Sequence, residues 1–257
     1  MSYYTRELCS TTIGDKMKKK TIYLYDDKIG SVSLVDHMGS DITVVNSARV
    51  SFGVEKNELD RKDKRLIRYL IRHRHTSTLE HNIITFKFCV PLFVRSQHHR
   101  HRTWSYNEIS RRYTDKNLEF YLPTSFRTQH KSNRQASNPE ELHNPVIYPD
   151  FNDYYAGMRA SDILKNQTIH SLRIFNDLLS KGVCREQARM ILPQNLYTEY
   201  YGTVNLNNLL KFIDLRTHEG AQWEIQKVAE ACLDIATELF PVTVKAYREI
   251  RNEAGSS

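Results

Sequence analysis

The sequence predicts an α+β fold, a single domain in which helices pack against a mixed or antiparallel sheet. Apolar and polar residues alternate over 84–90, which is the period of a strand that buries one face. Apolar residues recur at helical spacing over 59–74, on an otherwise basic segment. Hydrophobic residues make up 40% of the 257 positions, which is sufficient for a core. No repeat or linker divides the chain, so we expect one domain over 1–257.

The elements of the N-terminal half follow from turns and periodicity. Residues 21–25 and 31–35 are predicted strands, and the polar turn between them predicts a hairpin. After the amphipathic helix and the alternating strand, Pro91 favours a new helix that extends to about Arg100. The polar segment beyond this helix is expected to be a loop, because loops on a rigid scaffold commonly present ligand-binding groups.

The C-terminal half is predicted to be mainly helical. Gly182 and Pro193 are expected to stop the first two helices, and Asn205 is expected to cap the third. The segment 127–150 is polar, has no sustained period and is expected to be a surface excursion. The predicted helices are 152–181, 185–192, 206–215 and a final run over 223–240, and the predicted strand is 197–204.

Composition leaves several classes of partner open. The net charge of +7 and the pI near 9.1 suit an anionic partner, which includes nucleotides and nucleic acids. The four cysteines lack C-x-x-C spacing, so neither a zinc site nor a disulfide framework is indicated, and a reducing cytoplasm is expected. No apolar run approaches the roughly 18 residues of a membrane span, and the N-terminus lacks the apolar core of a secretory signal. No association with a membrane is expected.

The segment 100–113 is the strongest chemical signal in the chain. It combines arginines, a histidine, hydroxyls and an amide with a single carboxylate, Glu108. Guanidinium groups bind phosphates and carboxylates through paired hydrogen bonds, whereas hydroxyls and amides fix orientation. The segment therefore predicts a site for an anionic ligand. Its letters RHRTWSYNEISRR, at 100–112, fill every fixed position of the pattern R-H-R-x-x-S-x-N-E-x-S-x-R.

This pattern resembles the signature of the flavin-dependent thymidylate synthases. Three other blocks resemble the same family, so that the resemblance spans about 44–247 and leaves out mainly the N-terminal lead and the polar excursion. The blocks are HTSTLEH at 75–81, EQARMILP followed by NLYT at 186–198, and LR followed by AQWEI at 215–225.

The resemblance implies a reductive methylation. Deoxyuridine monophosphate (dUMP) would become thymidylate (dTMP), with 5,10-methylenetetrahydrofolate as the carbon donor and FAD reduced by NADPH. No dinucleotide-binding glycine motif is present, so the resemblance implies that side chains and subunit contacts hold FAD. It also implies a homotetramer with active sites at the subunit interfaces. The choice between NADPH and NADH, the subunit count and the folate pose stay open at this stage.

Site residues are assigned by position in the family's motifs. Arg216 matches the activating residue, whose guanidinium would stabilise negative charge that develops on the uracil. Arg112 and Arg189 are expected to bind the phosphate. The expected nucleotide-binding residues are Gln97, Arg100, Glu108, Ser110, Arg111, Arg112, Arg189 and Arg216. The expected flavin-binding residues are His75, Ser77, Glu80, Arg100, His101, Arg102, Glu108, Asn205, Asn207 and Lys211.

Three positions depart from the family's pattern. Asn207 stands where arginine is common, Lys211 where asparagine is common, and Gly220 where histidine is usual. Lys211 would restore the positive charge that Asn207 lacks. Whether His218 replaces the missing imidazole stays open.

The same residues allow other interpretations. The interleaved His98, His99 and His101 suggest a metal site, but no carboxylate or cysteine cluster completes it, and no metal is expected. Arg189 and Glu186 would form a surface ion pair in the simplest structural interpretation. Ser110 has no obvious base to activate it, and a cysteine-dependent thymidylate synthase would need a Pro-Cys-His setting that is absent. The main alternative is a basic nucleic-acid-binding module without catalysis, although no nucleic-acid partner is expected.

Overall fold

A computed structural model describes residues 20–148 and 155–255, and it confirms the α+β class. The described strands are β1 (Thr21–Tyr23), β2 (Ser31–Met38), β3 (Ile83–Pro91), β4 (Ser105–Glu108), β5 (Phe126–Gln129), β6 (Ser137–His143), β7 (Val146–Ile147), β8 (Met158–Arg159) and β9 (Tyr197–Asn205). The described helices are α1 (Asp41–Arg49), α2 (Arg61–Arg72), α3 (Ser77–Glu80), α4 (Leu92–His98), α5 (Ala160–Ser180), α6 (Arg185–Ala188), α7 (Leu206–Arg216), α8 (Trp223–Leu239) and α9 (Pro241–Gly255). Five strands form one antiparallel sheet in the order β1-β2-β3-β9-β4.

One face of this sheet forms the main core because its strands alternate. In β3, Ile84, Phe86 and Phe88 are fully buried, and they share one apolar cluster with α7 and α8. Gly202 of β9 is required at its position, because a Cβ there would lie 2.9 Å from Phe88 and 3.2 Å from Trp104. This close packing fixes β9 against β3, and β9 is the strand that pairs with the signature segment.

A buried carboxylate joins the two ends of the described chain. Asp41, in the first turn of α1, accepts hydrogen bonds from the backbone N–H groups of Val242 and Thr243, both at 2.9 Å. The Thr243 hydroxyl donates to the same carboxylate at 2.6 Å. The N-terminus of α9 is therefore capped by a side chain from α1, which satisfies donors that a helix leaves unpaired.

Most local predictions are confirmed. The N-terminal hairpin, the amphipathic helix, the alternating strand and the helix after Pro91 form close to the expected bounds. Gly182 follows the end of α5 with a φ of +84°, which glycine adopts without strain. Asn205 caps α7, since its Oδ1 accepts the N–H of Asn208 at 2.9 Å.

One loop prediction is wrong, and the polar excursion contains strands that were not predicted. Part of the signature segment forms the edge strand β4, which pairs with β9 in the register Ser105↔Thr203 to Glu108↔Tyr200. The polar excursion contains the β5–β6 hairpin, and β7 pairs with β8. These strands lack an apolar alternation because backbone pairing, rather than burial of one face, defines them.

Helix boundaries also needed correction in the C-terminal half. The long helix begins at Ala160 rather than at 152; the part of that prediction over 152–154 lies outside the described residues. Helices α1, α3 and α9 were not predicted. For α9 a signal was present, since Pro241 occupies the first position of the helix, where proline is favoured. Within the described ranges, no helix is both long and apolar enough to cross a membrane.

Candidate active site

A cavity of about 560 Å³ lies between the start of α4, the residues that follow β4 and the segment after α6. We call it the arginine cavity, because three guanidinium groups line it. Four of the expected nucleotide-binding residues meet there, although they come from distant parts of the sequence. The lining residues are Leu92, Arg95, Glu108, Ile109, Ser110, Arg111, Arg189, Met190, Leu192, Gln194, Leu196 and Thr198.

Glu108 is the carboxylate of the arginine cavity, and its position follows from strand pairing. It is the last residue of β4 and lies opposite Tyr200, so that Thr198 is its diagonal neighbour on β9. Its Oε1 accepts a hydrogen bond from the Thr198 hydroxyl at 2.7 Å and lies 3.2 Å from Nε of Arg95. These contacts hold one carboxylate oxygen in place.

Arg95 was missed by sequence reasoning. It lies three residues after Leu92 on α4, and both side chains line the arginine cavity. The available signal was its place in the basic run that extends from α4 into the signature, but the matched motif positions start two residues later. Its guanidinium adds positive charge beside Glu108.

Arg111 braces the wall of the cavity. Its guanidinium donates to the carbonyl of Lys116 at 2.7 Å and, more weakly, to that of Tyr197 at 3.5 Å. Burial lowers the pKa of Arg111 from its ordinary value. Ser110 begins the same turn, since its carbonyl accepts the N–H of Tyr113 at 3.0 Å. The turn therefore places Ser110 and Arg111 at the mouth of the cavity.

The two arginines expected at the phosphate have different surroundings. Arg189 lines the arginine cavity, and its Nε donates to the backbone carbonyl of Glu186 at 3.3 Å. The carboxylate of Glu186 pairs instead with exposed Arg112, at 3.3 Å. The alternative of an Arg189–Glu186 surface ion pair is therefore wrong, because another arginine occupies that carboxylate.

His101 and Arg216 form a hydrogen-bonded pair at the end of α7, and Gln97, near the end of α4, is hydrogen-bonded to Gln222 just before α8; we call these residues the Gln97 corner. Gln97 follows Arg95 by two positions, about 200° around the helix, so its side chain leaves the opposite face of α4. Arg216 Nε donates to His101 Nε2 at 3.1 Å. Burial, together with the Arg216 cation, lowers the pKa of His101 to about 4. The imidazole is therefore neutral at physiological pH.

His98 belongs to the core. Its Nδ1 is 2.8 Å from the Tyr200 hydroxyl, and its ring packs edge-to-face on Phe88. Burial lowers the pKa of His98 well below its ordinary value. Throughout the described ranges, no three His, Cys, Asp or Glu side chains are grouped so that they could hold a metal ion.

A second cavity, of about 410 Å³, lies between α2, α7 and α9, and we call it the α2–α9 cavity. His75, Asn207 and Lys211, all expected flavin-binding residues, line it. It is also basic, because Arg72, Arg74 and Arg251 contribute to its wall; these were not predicted. Arg74 has a φ of +57°, a conformation that a non-glycine residue adopts only when its surroundings hold it.

The other expected flavin-binding residues are divided between two regions. Glu80 on α3 accepts a hydrogen bond from Asn207 at 3.1 Å, and exposed Ser77 begins the same short helix, so both adjoin the α2–α9 cavity. Asn205 is used as the cap of α7. By contrast, Arg100, His101 and Arg102 follow α4, and Glu108 lies in the arginine cavity. The described part of one chain does not bring the whole set together.

The structure shows the contacts of the three positions that depart from the family pattern. Asn207 is buried against Glu80, whereas Lys211, one turn later on α7, is exposed at the α2–α9 cavity. At Gly220 a Cβ would lie 3.3 Å from Nδ1 of His218 and 3.4 Å from Asn133 on the β5–β6 hairpin. The His218 ring accepts the Gly220 N–H at 3.0 Å, so its Nδ1 is occupied within its own turn.

The chain is similar to several known proteins. A family model described as thymidylate synthase complementing protein matches residues 33–242. A flavin-dependent thymidylate synthase from Thermus thermophilus is 43% identical over 220 residues, which cover 86% of this chain and 76% of the relative. One from Thermotoga neapolitana is 39% identical over 218 residues, which cover 85% of this chain and 90% of the relative.

A solved structure shares the fold. It is a UMP/dUMP methylase, PolB, from Streptomyces cacaoi bound with 5-Br dUMP, at 33% identity and a TM-score of 0.67, with 85% of this chain and 94% of that one covered. The fold and the matches define an enzyme. The chain belongs to the thymidylate synthase complementing protein family, which includes the flavin-dependent thymidylate synthases.

Proposed function

We propose that the protein is a flavin-dependent thymidylate synthase, which methylates dUMP to dTMP with 5,10-methylenetetrahydrofolate as the carbon donor and NADPH as the reductant. The observation that carries this proposal is the arginine cavity, in which Glu108, Ser110, Arg111 and Arg189 converge from two distant segments. A concave site with several guanidinium groups and one fixed carboxylate suits a nucleotide monophosphate.

The α2–α9 cavity fits part of FAD by the chemistry of its donors. Lys211 and Arg74 are exposed there, and neither side chain has an ion-pair partner among the described residues, so both are available to a diphosphate. The His75 ring, which stacks at 6.0 Å on Tyr69, offers an aromatic face to a flat ring system. When bound, FAD would supply the hydride that converts the transferred methylene to a methyl group. Ser77, Glu80, Asn205 and Asn207 would support this site from α3 and α7.

The chain's own residues would bind the nucleotide and stabilise charge. Arg189, with Arg112 beside it, would bind the phosphate dianion, and Glu108 and Ser110 would orient the rest of the nucleotide. Arg216 would stabilise negative charge on the uracil as C5 becomes nucleophilic. The neutral His101 next to it leaves the guanidinium as the positive charge of that pair.

We propose that a second copy of the chain completes each site, within a homotetramer. Arg95 and Gln97 leave opposite faces of α4, so the arginine cavity and the Gln97 corner of one chain face different directions. Each holds only part of the expected nucleotide site. Met190, at the mouth of the arginine cavity, is 77% exposed, which is unusual for a large apolar side chain outside an interface.

An anaerobic absorption spectrum tests the function directly. The purified protein should show a flavin spectrum that bleaches on addition of NADPH and recovers only when dUMP and methylenetetrahydrofolate are both added. Repeating the reduction with NADH measures the preference between the two nicotinamides. A protein that stays colourless with added FAD would contradict the proposal.

The alternative of a nucleic-acid-binding module without catalysis is not retained, because the family consists of enzymes. The basic residues also line a concave cavity around Glu108, whereas nucleic-acid grooves have a basic surface that follows the backbone. A biosynthetic enzyme of this kind would act in the cytoplasm.

A further inference from the structure

A chain of hydrogen bonds connects Gln97 to the β5–β6 hairpin through the start of α8. Gln97 Nε2 donates to Oε1 of Gln222, and Gln222 Nε2 donates to Oε2 of Glu224 at 2.8 Å. Arg127 on β5 donates to Oε1 of Glu224 at 2.7 Å, and the Tyr121 hydroxyl approaches the same oxygen at 3.4 Å. We call this chain the glutamine relay. It accounts for the Gln and Glu of the AQWEI block, which the proposed function leaves without a role.

The relay fixes the orientation of the Gln97 and Gln222 amides, because Glu224, at its end, can only accept hydrogen bonds. Glu224 is buried, and its carboxylate oxygens are approached by donors from Gln222, Arg127 and Tyr121, so the group acts as an acceptor on both sides. Gln222 must therefore turn its NH₂ group towards Glu224 and its carbonyl towards Gln97. In turn, Gln97 must offer its NH₂ group to that carbonyl.

The consequence is that the carbonyl oxygen of Gln97 is the free end of the relay. Gln97 is only half-buried, and no side chain or backbone group of the described ranges donates to its Oε1. An amide in an unconstrained site rotates and presents either group, whereas this amide presents an acceptor. His101, four residues after Gln97, accepts a hydrogen bond from Arg216, the residue expected at the uracil.

We propose that Gln222 and Glu224 are positioning residues that hold Gln97 as a hydrogen-bond acceptor for the N3–H of a uracil base. This inference rests on the proposed function, and it deepens it by naming a device for base selection. Uracil carries a hydrogen on N3, whereas the N3 of cytosine is an acceptor. A fixed Gln97 carbonyl therefore accepts the N3–H of dUMP. It disfavours dCMP, because the carbonyl oxygen and the cytosine N3 are both acceptors.

The backbone of the relay is itself held firmly. The Gln222 carbonyl accepts the N–H groups of Ile225 and Gln226, both at 3.1 Å, as the first bonds of α8. The Tyr25 hydroxyl donates to the Glu224 carbonyl at 3.1 Å. Because these bonds hold the main chain of Gln222 and Glu224, the group that Gln222 offers to Gln97 is set by the side-chain contacts of the relay.

Two variants test the relay in the purified holoenzyme. Gln222→Met keeps the length of the side chain but removes both hydrogen bonds, so the Gln97 amide is free to rotate. Glu224→Gln replaces the acceptor-only group by an amide that can donate, which permits the reversed orientation. Gln226→Met is the matched control: its side chain on α8 loses bonds to the carbonyls of His218 at 3.0 Å and Ala221 at 2.9 Å, while its backbone bond to Gln222 and the side-chain bonds of the relay are kept.

The measurement is the dissociation constant of dUMP and of dCMP, by equilibrium dialysis with competition, for each protein. We expect the preference for dUMP over dCMP to fall about tenfold in Gln222→Met and Glu224→Gln, the effect of one hydrogen bond, and to persist in Gln226→Met. The ratio is the decisive quantity, since a merely structural defect would weaken both nucleotides alike. Gln222→Met keeps the test valid if Glu224→Gln fails to fold, because it leaves the Arg127–Glu224 pair in place.

Other outcomes separate the inference from the proposed function. An unchanged ratio in both relay variants, or an equal loss of both nucleotides, overturns the inference while dTMP formation by the wild-type protein upholds the function. A wild-type protein that forms dTMP but binds dCMP as tightly as dUMP also overturns the inference alone. A wild-type protein that binds neither nucleotide and forms no dTMP overturns the function and the inference with it.

Discussion

The Nε–H of Arg216 donates a hydrogen bond to Nε2 of His101 over 3.1 Å. Since Nε2 accepts this bond, the imidazole of His101 is neutral and carries its proton on Nδ1. This hydrogen bond connects the signature segment to the end of α7. It holds the Arg216 guanidinium in one orientation against His101. The pair also makes the region sensitive to acid.

The first prediction concerns stability against pH. The pKa of His101 is lowered from 6.5 to about 4 by burial and by Arg216, so the unfolded chain binds this proton more readily than the folded one. Stability from this group is thus complete above pH 6.5 and is lost as the pH falls towards about 4. Urea unfolding at several pH values should show a shallower pH dependence in this window for His101→Gln. Parallel curves for the two proteins would contradict the assignment.

The second prediction concerns Arg216 in catalysis. Arg216→Ala should lower the rate of dTMP formation in a single turnover by about 10²–10³-fold, because a preorganised cation is removed from the developing charge. Arg216→Lys keeps the charge but loses the planar guanidinium, so its rate should lie between those of the wild-type protein and Arg216→Ala. A wild-type rate in Arg216→Ala would remove the catalytic role.

The third prediction concerns the phosphate. Arg189→Ala should weaken dUMP binding about tenfold or more, because a guanidinium is lost from the arginine cavity. Arg112→Ala should weaken it as well, by a smaller factor, since Arg112 pairs with Glu186 outside the cavity lining. Calorimetric titration with dUMP and with deoxyuridine separates the causes: binding of the nucleoside, which lacks the phosphate, should hardly change. Unchanged dUMP affinity in both variants would remove this phosphate site.

The fourth prediction concerns subunit sharing. Arg189 and Arg216 belong to separate groups on the described chain, so a shared site takes one from each of two copies. Unfolding and refolding a mixture of Arg189→Ala and Arg216→Ala proteins should restore about a quarter of wild-type activity, the fraction of random sites with both arginines intact. Each variant refolded alone is the control. No recovery in the refolded mixture would show that both arginines act within one chain.

The fifth prediction concerns the cap of α9. Asp41→Asn should lower the free energy of unfolding by about 1–3 kcal/mol, because a charged acceptor of three hydrogen bonds is replaced by a neutral one. Asp36→Asn is the control, since Asp36 is exposed and accepts only the N–H of His37; its effect should stay within about 0.5 kcal/mol. Urea unfolding measures both. An equal loss of unfolding free energy in Asp41→Asn and Asp36→Asn would show that the cap does not stabilise the fold.

Local patterns carried the reliable part of the fold prediction. The alternation over 84–90 and the helical spacing over 59–74 reflect burial of one face, which each segment encodes within itself. The same holds for the Asn205 cap, whose acceptor and donor are three residues apart. Edge strands such as β4 and the β5–β6 hairpin escaped prediction, because their partners are backbone groups and their side chains are largely polar.

The signature predicted Glu108, Ser110 and Arg111 as site residues, but not the neighbours that hold them. Arg95 lies beside Glu108 only because α4 and β4 meet at the arginine cavity, and Thr198 arrives through the β4–β9 register. Likewise, Glu224 is far from Gln97 along the chain, and only the packing of α8 against α4 brings Gln222 between them.

By itself, the sequence determined the family, the α+β class and the types of residue at the site, because these are recorded in short motifs and in the periodicity of burial. The tertiary structure decided how those residues are grouped. It separated the arginine cavity from the Gln97 corner and placed Lys211 and Asn207 on one wall of the α2–α9 cavity. It also oriented the Gln97 amide through its hydrogen bond with Gln222. The physical reason is that pairing between distant segments depends on backbone register and on which face of a helix is buried, and neither is encoded in any one segment.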